Sequence, residues 1–193
     1  MATSRDASAN HQRLIDAAST LFFRDGINAT GIAAVAELAG MSKMTLYAHF
    51  ASKDELIVAF LDKRNERWEA AVQQTLAASD SPDQKLLGLF DLHRQWLREG
   101  GLRGCPYVNS AAEFPDRAHP VRQAVDRHKC GVKQHLLELA VMAGLKQPQV
   151  LVRRLFLLLE GAFLTGALEN DDSVFLLAKD LAAELIEAAQ PAA

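Results

Sequence analysis

Between residues 30 and 53 the chain carries hydroxyl, cationic and aromatic side chains at helical spacing: Thr30, Ser42, Lys43, Thr45, Tyr47, His49 and Lys53. Their chemistry is recognition. Hydroxyls, ammonium groups and ring N–H groups address phosphate oxygens and base edges. Lys43 can reach a guanine edge or a phosphate. Tyr47 can donate its hydroxyl to a phosphate or lay its ring against a thymine methyl, with His49 and Lys53 anchoring backbone on either side. Ser42 reads as the N-cap of the helix carrying Lys43 and Tyr47, and Thr30 as the equivalent residue of the preceding helix. Each leaves amide groups at a helix start, suited to a phosphate. Tyr47 and His49 have a second reading, as half-buried packing residues on an ordinary helical hairpin.

The elements that must hold these residues follow from apolar spacing. Gly31 to Ala39 reads as a short helix with Ile32, Val35, Ala36 and Ala39 on one face. Ala39-Gly40-Met41-Ser42 is a tight turn. Lys43 to Phe50 is a second helix in which Leu46 and Phe50, one turn apart, point at the same core. Lys43, Thr45, Tyr47 and His49 are then directed outward. Two helices joined by a short turn containing Gly make the helix-turn-helix plan, whose second helix enters the DNA major groove.

Thr30, Ala39-Gly40, Ser42, Thr45-Leu46-Tyr47, Phe50 and Ser52-Lys53 also carry a resemblance. The segment is similar to the DNA-binding signature of the TetR family of bacterial transcriptional regulators. Met41 stands where that pattern usually has Val. Met44 replaces a common Gly at the start of the recognition helix, a position where sequence preference would diverge. The resemblance implies DNA contacts by Tyr47, by His49 two residues on, and by Lys53. It also implies a second domain that holds an effector pocket.

Composition narrows the mode of binding. The 193 residues carry a net charge of −3, which argues against a general polyanion binder. The first 55 residues hold five Lys or Arg against six Asp or Glu, so DNA affinity must come from helix starts and a few placed cations. Two cysteines and no CxxC make no disulfide framework. The polar N-terminus lacks a signal-peptide core, and the run Leu155 to Leu168, broken by Glu160, is too short for a membrane span. A cytoplasmic location with no membrane partner is expected.

Along the chain, residues 1 to 9 read as frayed, and a helix from Asn10 to Asp25 puts Leu14, Ile15, Ala18, Leu21 and Phe22 on one face. Ser52 and Glu55 form a capping box opening a long helix to about Ala78. Ser81-Pro82 restarts a helix that ends at Gly100-Gly101. A short helix spans Pro106 to Glu113, and long ones follow from Pro120 to Ala143, Pro148 to Glu169 and Ser173 to Ala189. The last puts Leu177, Leu181, Leu185 and Ile186 on one face. The expected fold is all-α, about nine helices: a three-helix head over residues 1–51 and a larger helical bundle over 52–193 for regulation and dimerisation.

Other candidates lie in that second part. His93, Trp96, Tyr107, His128 and Phe163 are candidates for lining a mostly apolar effector pocket, the alternative for each histidine being a core residue bonded to a carbonyl. His128 and His135 are seven residues apart, about 10.5 Å along the axis, too far to chelate one ion alone, and no metal or cofactor is expected. Cys105 precedes a helix start, where amide dipoles favour thiolate, and some members of the resembled family sense oxidants through a cysteine; the alternative is a small residue fitted to a tight helix start. Phe156, Glu160, Gly161, Leu164, Leu181 and Leu185 are dimer candidates. Gly161, Ala162, Thr165 and Gly166 would let helices approach closely.

No strand-linked Gly loop, nucleophile elbow or HExxH is present, which argues against an enzyme. The reading is a dimeric transcriptional regulator, most simply a repressor on a palindromic operator. A small molecule would release it by tilting the helix that begins at Ser52. The alternative is a helical ligand-binding or adaptor protein whose helix-turn-helix reads no DNA.

Overall fold

A computed structural model describes residues 4–191, all of whose regular structure is helical. Nine helices are present among the described residues, in two compact units. The first comprises residues up to Glu66 together with Pro106–Val125, and the second Arg67–Cys105 together with Asp126 onward. This differs from a boundary at residue 51. The capping box there is a local signal, whereas the helix it opens is continuous and contributes to both units.

In the first unit, α1 (Ser4–Asp25) packs on α2 (Ile32–Leu38), and α2 on α3 (Lys43–His49). The expected faces are buried: Leu14, Ala18, Val35, Ala36, Leu46 and Phe50 are at most 1% exposed. Helix α1 starts at Ser4 rather than Asn10. Asp6 lies in its first turn, where a carboxylate favours the helix dipole, and Ala7 and Ala9 are strong helix formers. The expected fraying therefore does not hold for residues 4–9, and residues 1–3 lie outside the described residues. The start of α4 (Lys53–Ala77) is capped as its sequence predicts: Ser52 Oγ accepts from Glu55 N at 3.1 Å, while Glu55 Oε2 accepts from Ala51 N at 2.6 Å. Helix α6 (Pro106–Glu113) and the first turns of α7 (Pro120–Met142) complete this unit.

The second unit is built from the remainder of α4 and α7 with α5 (Pro82–Glu99), α8 (Pro148–Glu169) and α9 (Val174–Ala188); α5, α8 and α9 pack mutually. Gly166 sets how closely α5 and α8 approach, because a Cβ there would lie 2.6 Å from Leu97 Cδ2 and 2.9 Å from the Asp171 carbonyl oxygen. Gly166 and Ala162 thus pack inside the unit, while Gly161 is exposed. Helix α9 keeps only part of the expected leucine face: Ile186 is buried and Leu185 half-buried, but Leu177 and Leu181 point outward. Its buried side is Phe175, Ala178, Ala182 and Ile186, whereas Leu177 is 60% and Leu181 38% exposed. With apolar residues on most sides, periodicity does not define which face packs. Small residues face α5 and α8 because they allow close helix approach.

Candidate functional site

The turn between α2 and α3 is a Schellman motif. Met41 N donates to Ala36 O at 2.8 Å and Gly40 N to Glu37 O at 2.9 Å, closing the last turn of α2. Gly40 takes the left-handed conformation this requires, with φ at 68°. Arg13 on α1 donates through Nη2 to Ala39 O at 2.6 Å, and a Cβ on Gly40 would lie 3.1 Å from that nitrogen. The helix-turn-helix is thus held by its apolar face, by a backbone cap and by a side-chain latch from outside the pair. Nothing in the signature itself announces Arg13; its signal was only a cation on α1 off the apolar stripe.

Ser42 caps α3, its Oγ accepting from Thr45 N at 3.0 Å and lying 2.9 Å from Thr45 Oγ1. The amides of Lys43 and Met44 stand at the same helix start, where no intrahelical acceptor exists. Lys43 is exposed, Met44 is 82% exposed and Tyr47 52%, so three of the expected readers share an open face of α3. Thr45 and His49 are half-buried. The His49 ring lies 5.9 Å from that of His11, which itself stacks on Phe50 at 4.5 Å, so His49 also serves packing. Lys53 is half-buried with Nζ 3.4 Å from Asn28 O.

Thr30 is a correction. The N-cap of α2 is Gly31, and Thr30 is 3% exposed with Oγ1 donating to Gly26 O at 2.7 Å. Its hydroxyl holds the α1–α2 loop and is not displayed at a helix start.

In the second unit, the buried centre is an aromatic cluster around Trp68 of α4. Rings of His93, His128 and His135 meet the indole edge-on at 6.0, 5.0 and 5.5 Å, and Phe163 lies 5.6 Å from His93. Sequence reasoning named His93, His128 and Phe163 and missed Trp68, which is 2% exposed. The His93 Nδ1 sits 2.6 Å from Leu89 O, and burial pushes its pKa down to about 4, so the ring is neutral and Nδ1 carries the proton. His135 pairs with Glu69 at 2.9 Å. The Trp68 indole N–H is buried with no acceptor among the described residues. Two expected lining residues are elsewhere. Trp96 lines a cleft of about 230 Å³ with Arg67 and Thr75, the Arg67 guanidinium 5.8 Å from its ring. Tyr107 belongs to the first unit, where its hydroxyl donates to Leu61 O at 3.0 Å.

Cys105 is 5% exposed, and Lys129 Nζ lies 3.3 Å from its Sγ and 2.6 Å from Glu160 Oε1. Burial opposes the Lys129 charge, but attraction to Cys105 and Glu160 outweighs it and raises the lysine pKa. Glu160 is therefore engaged with α7, as is Phe156, whose ring lies 5.0 Å from Lys133 Nζ. Of the remaining dimer candidates, Gly161, Leu164 and Leu181 are exposed and Leu185 half-buried. Leu157, Gly161, Leu164 and Leu168 form one open stripe on α8 at i, i+4, i+7 and i+11. Their leucines are 58–77% exposed.

The chain matches two family models. One is described as bacterial regulatory proteins, tetR family, over residues 14–60, and the other as tetracyclin repressor-like, C-terminal domain, over residues 82–180. It is 30% identical over 159 residues to the HTH-type transcriptional regulator SrpR of Pseudomonas putida, covering 74% of each chain. It is 34% identical over 82 residues to the HTH-type transcriptional regulator TtgR, also of Pseudomonas putida, a match spanning 42% of this chain and only 37% of that relative's length. Its fold is similar to the crystal structure of SCO4454, a TetR-family transcriptional regulator from Streptomyces coelicolor, with a TM-score of 0.90 and 29% identity over 95% of this chain and 97% of that one. With a helix-turn-helix in the N-terminal match and a helical bundle in the C-terminal one, the chain belongs to the TetR family of bacterial transcriptional regulators, which are DNA-binding proteins and not enzymes.

Proposed function

We propose that this regulator is a repressor that binds a palindromic operator as a homodimer and leaves it when a small molecule occupies the second unit. The open face of α3 supports the DNA part most directly: Lys43, Met44 and Tyr47 are displayed while Leu46 and Phe50 are buried. One such helix reads only a few base pairs, and a two-fold dimer on a palindrome supplies the rest. Ser42 and the α3 amides, Thr45, His49 and Lys53 would contact backbone around that face. Because the head is not basic, these placed contacts carry the affinity.

The α8 stripe and the exposed Leu177 and Leu181 on α9 support a homodimer. Exposed apolar surface on two helices that pack together needs a partner, and a second copy offers the same surface. The Trp68 cluster supports the effector. An unmet buried donor costs roughly 1–3 kcal/mol, which a ligand bearing an acceptor would recover. Helix α4 carries residues of both units, so a ligand that prefers a tilted α4 would shift the population toward heads spaced wrongly for the operator. The buried Cys105 is less suited to sensing than this cluster.

A mobility-shift titration with DNA from upstream of the chain's own gene tests the proposal. A discrete shift that weakens steeply with salt is expected, because each phosphate contact releases counterions. A chain that shifts no such DNA at any salt would be the ligand-binding or adaptor protein instead.

A further inference from the structure

We propose that Glu113, the last residue of α6, is a positioning residue for the DNA-reading helices and a point at which α6 controls them. Its two carboxylate oxygens are both engaged by the loop between α1 and α2: Oε1 accepts from Ile27 N at 3.2 Å and Oε2 from Asn28 N at 2.6 Å. These residues are 86 and 85 positions away in sequence, and all three belong to the first unit. The same loop is tied by Thr30, whose Oγ1 holds Gly26 O, and by Thr30 N, which closes a turn onto Ile27 O at 3.3 Å. That turn delivers the chain to Gly31, the N-cap of α2, and α2 packs on α3.

Glu113 has no local reason for its place. A carboxylate in the last turn of a helix faces the negative end of the helix dipole, where a cation is preferred. An ionised carboxylate accepts only, and the two amides within reach of its two oxygens form a charge-assisted pair that ties down the successive peptide units ending in Ile27 N and Asn28 N. The direction of α2, and with it the display of α3, is therefore set partly from α6, which lies outside any head drawn from the helix-turn-helix signature. The chain enters α6 directly from Cys105, a residue of the second unit. A displacement of α6 is felt at the loop as the loss of both bonds. This regulatory role rests on the reading that the first unit binds DNA and the second takes the effector.

Two measurements on the full chain test it: amide hydrogen exchange at Asn28, and affinity for the upstream DNA fragment, each for wild type, Glu113→Ala and Glu113→Gln. Gln keeps one acceptor oxygen and the side-chain volume but turns a donor toward the second amide. In Glu113→Ala, Asn28 is expected to exchange about ten-fold faster and DNA affinity to fall about ten-fold, with Glu113→Gln between the two. Equal exchange in wild type and Glu113→Ala overturns the inference. So does DNA affinity that stays at the wild-type value, or that follows melting temperature alone across the two variants. Failure of the DNA reading is distinct, since the wild type itself would then shift no DNA.

Discussion

Arg13 and Ala39 are joined across 26 residues by a 2.6 Å hydrogen bond from the guanidinium to the carbonyl oxygen that precedes the helix-turn-helix turn. A part-buried, charge-assisted bond of this kind does two things: it satisfies a carbonyl at the end of α2 and fixes α1 against the turn. Gly40 makes room for it. Arg13→Ala should lower stability by about 1–2 kcal/mol and weaken DNA binding more than that loss explains, because the angle of α3 loosens. Gly40→Ala places a Cβ in a left-handed residue and against the latch, at a cost of roughly 1–2 kcal/mol. Urea unfolding midpoints alongside mobility shifts check both; unchanged DNA binding in Arg13→Ala would show that the latch is only a stability feature.

Stability should depend on pH through His93. Its folded pKa is about 4 against an ordinary 6.5, because burial disfavours the charged ring. Above pH 6.5 both folded and unfolded chains hold it neutral, and its contribution is fully present. As pH falls from 6.5 toward 4 the unfolded chain takes up a proton that the folded chain refuses, so stability is lost at up to about 1.4 kcal/mol per pH unit, about 3 kcal/mol in all. His93→Gln removes this titration. The wild-type unfolding midpoint should therefore fall between pH 7 and 4.5 more than that of His93→Gln, and parallel curves for the two would contradict a buried neutral ring.

Leu164 is 58% exposed at the middle of the α8 stripe. Leu164→Asp should cost the isolated subunit less than about 0.5 kcal/mol, as surface substitutions do, yet shift the chain from dimer to monomer in sedimentation velocity. Lost operator binding is expected to accompany it. A variant that stays dimeric would place the subunit contact elsewhere.

Much of this was legible in the residues. Helix limits came from caps and breakers: Ser42, the Ser52–Glu55 box, Pro82, Pro106 and Pro148 mark starts that the structure keeps within a residue. Faces were legible wherever apolar and polar residues alternate clearly, as in α1 and α3. They failed in α9, where nearly every position is apolar or small, so that Ala178 and Ala182 pack while Leu177 and Leu181 do not. Thr30 misled because the sequence preference for a hydroxyl at a cap cannot distinguish it from a hydroxyl turned back on Gly26. Arg13, Trp68 and Glu113 were invisible for a different reason. Each acts across 25 to 86 residues of sequence, on a carbonyl, a cluster of rings and a pair of amides that only the fold brings within reach.

The central claim, that the open face of α3 reads DNA while the rest of the chain holds the dimer, is tested most directly by Tyr47→Ala. Tyr47 is 52% exposed, and the α3 core positions Leu46 and Phe50 are untouched by its removal. Mobility shift and sedimentation of the same preparation should show operator binding abolished and the dimer intact. Operator binding at wild-type strength, or loss of the dimer together with the DNA, would contradict it.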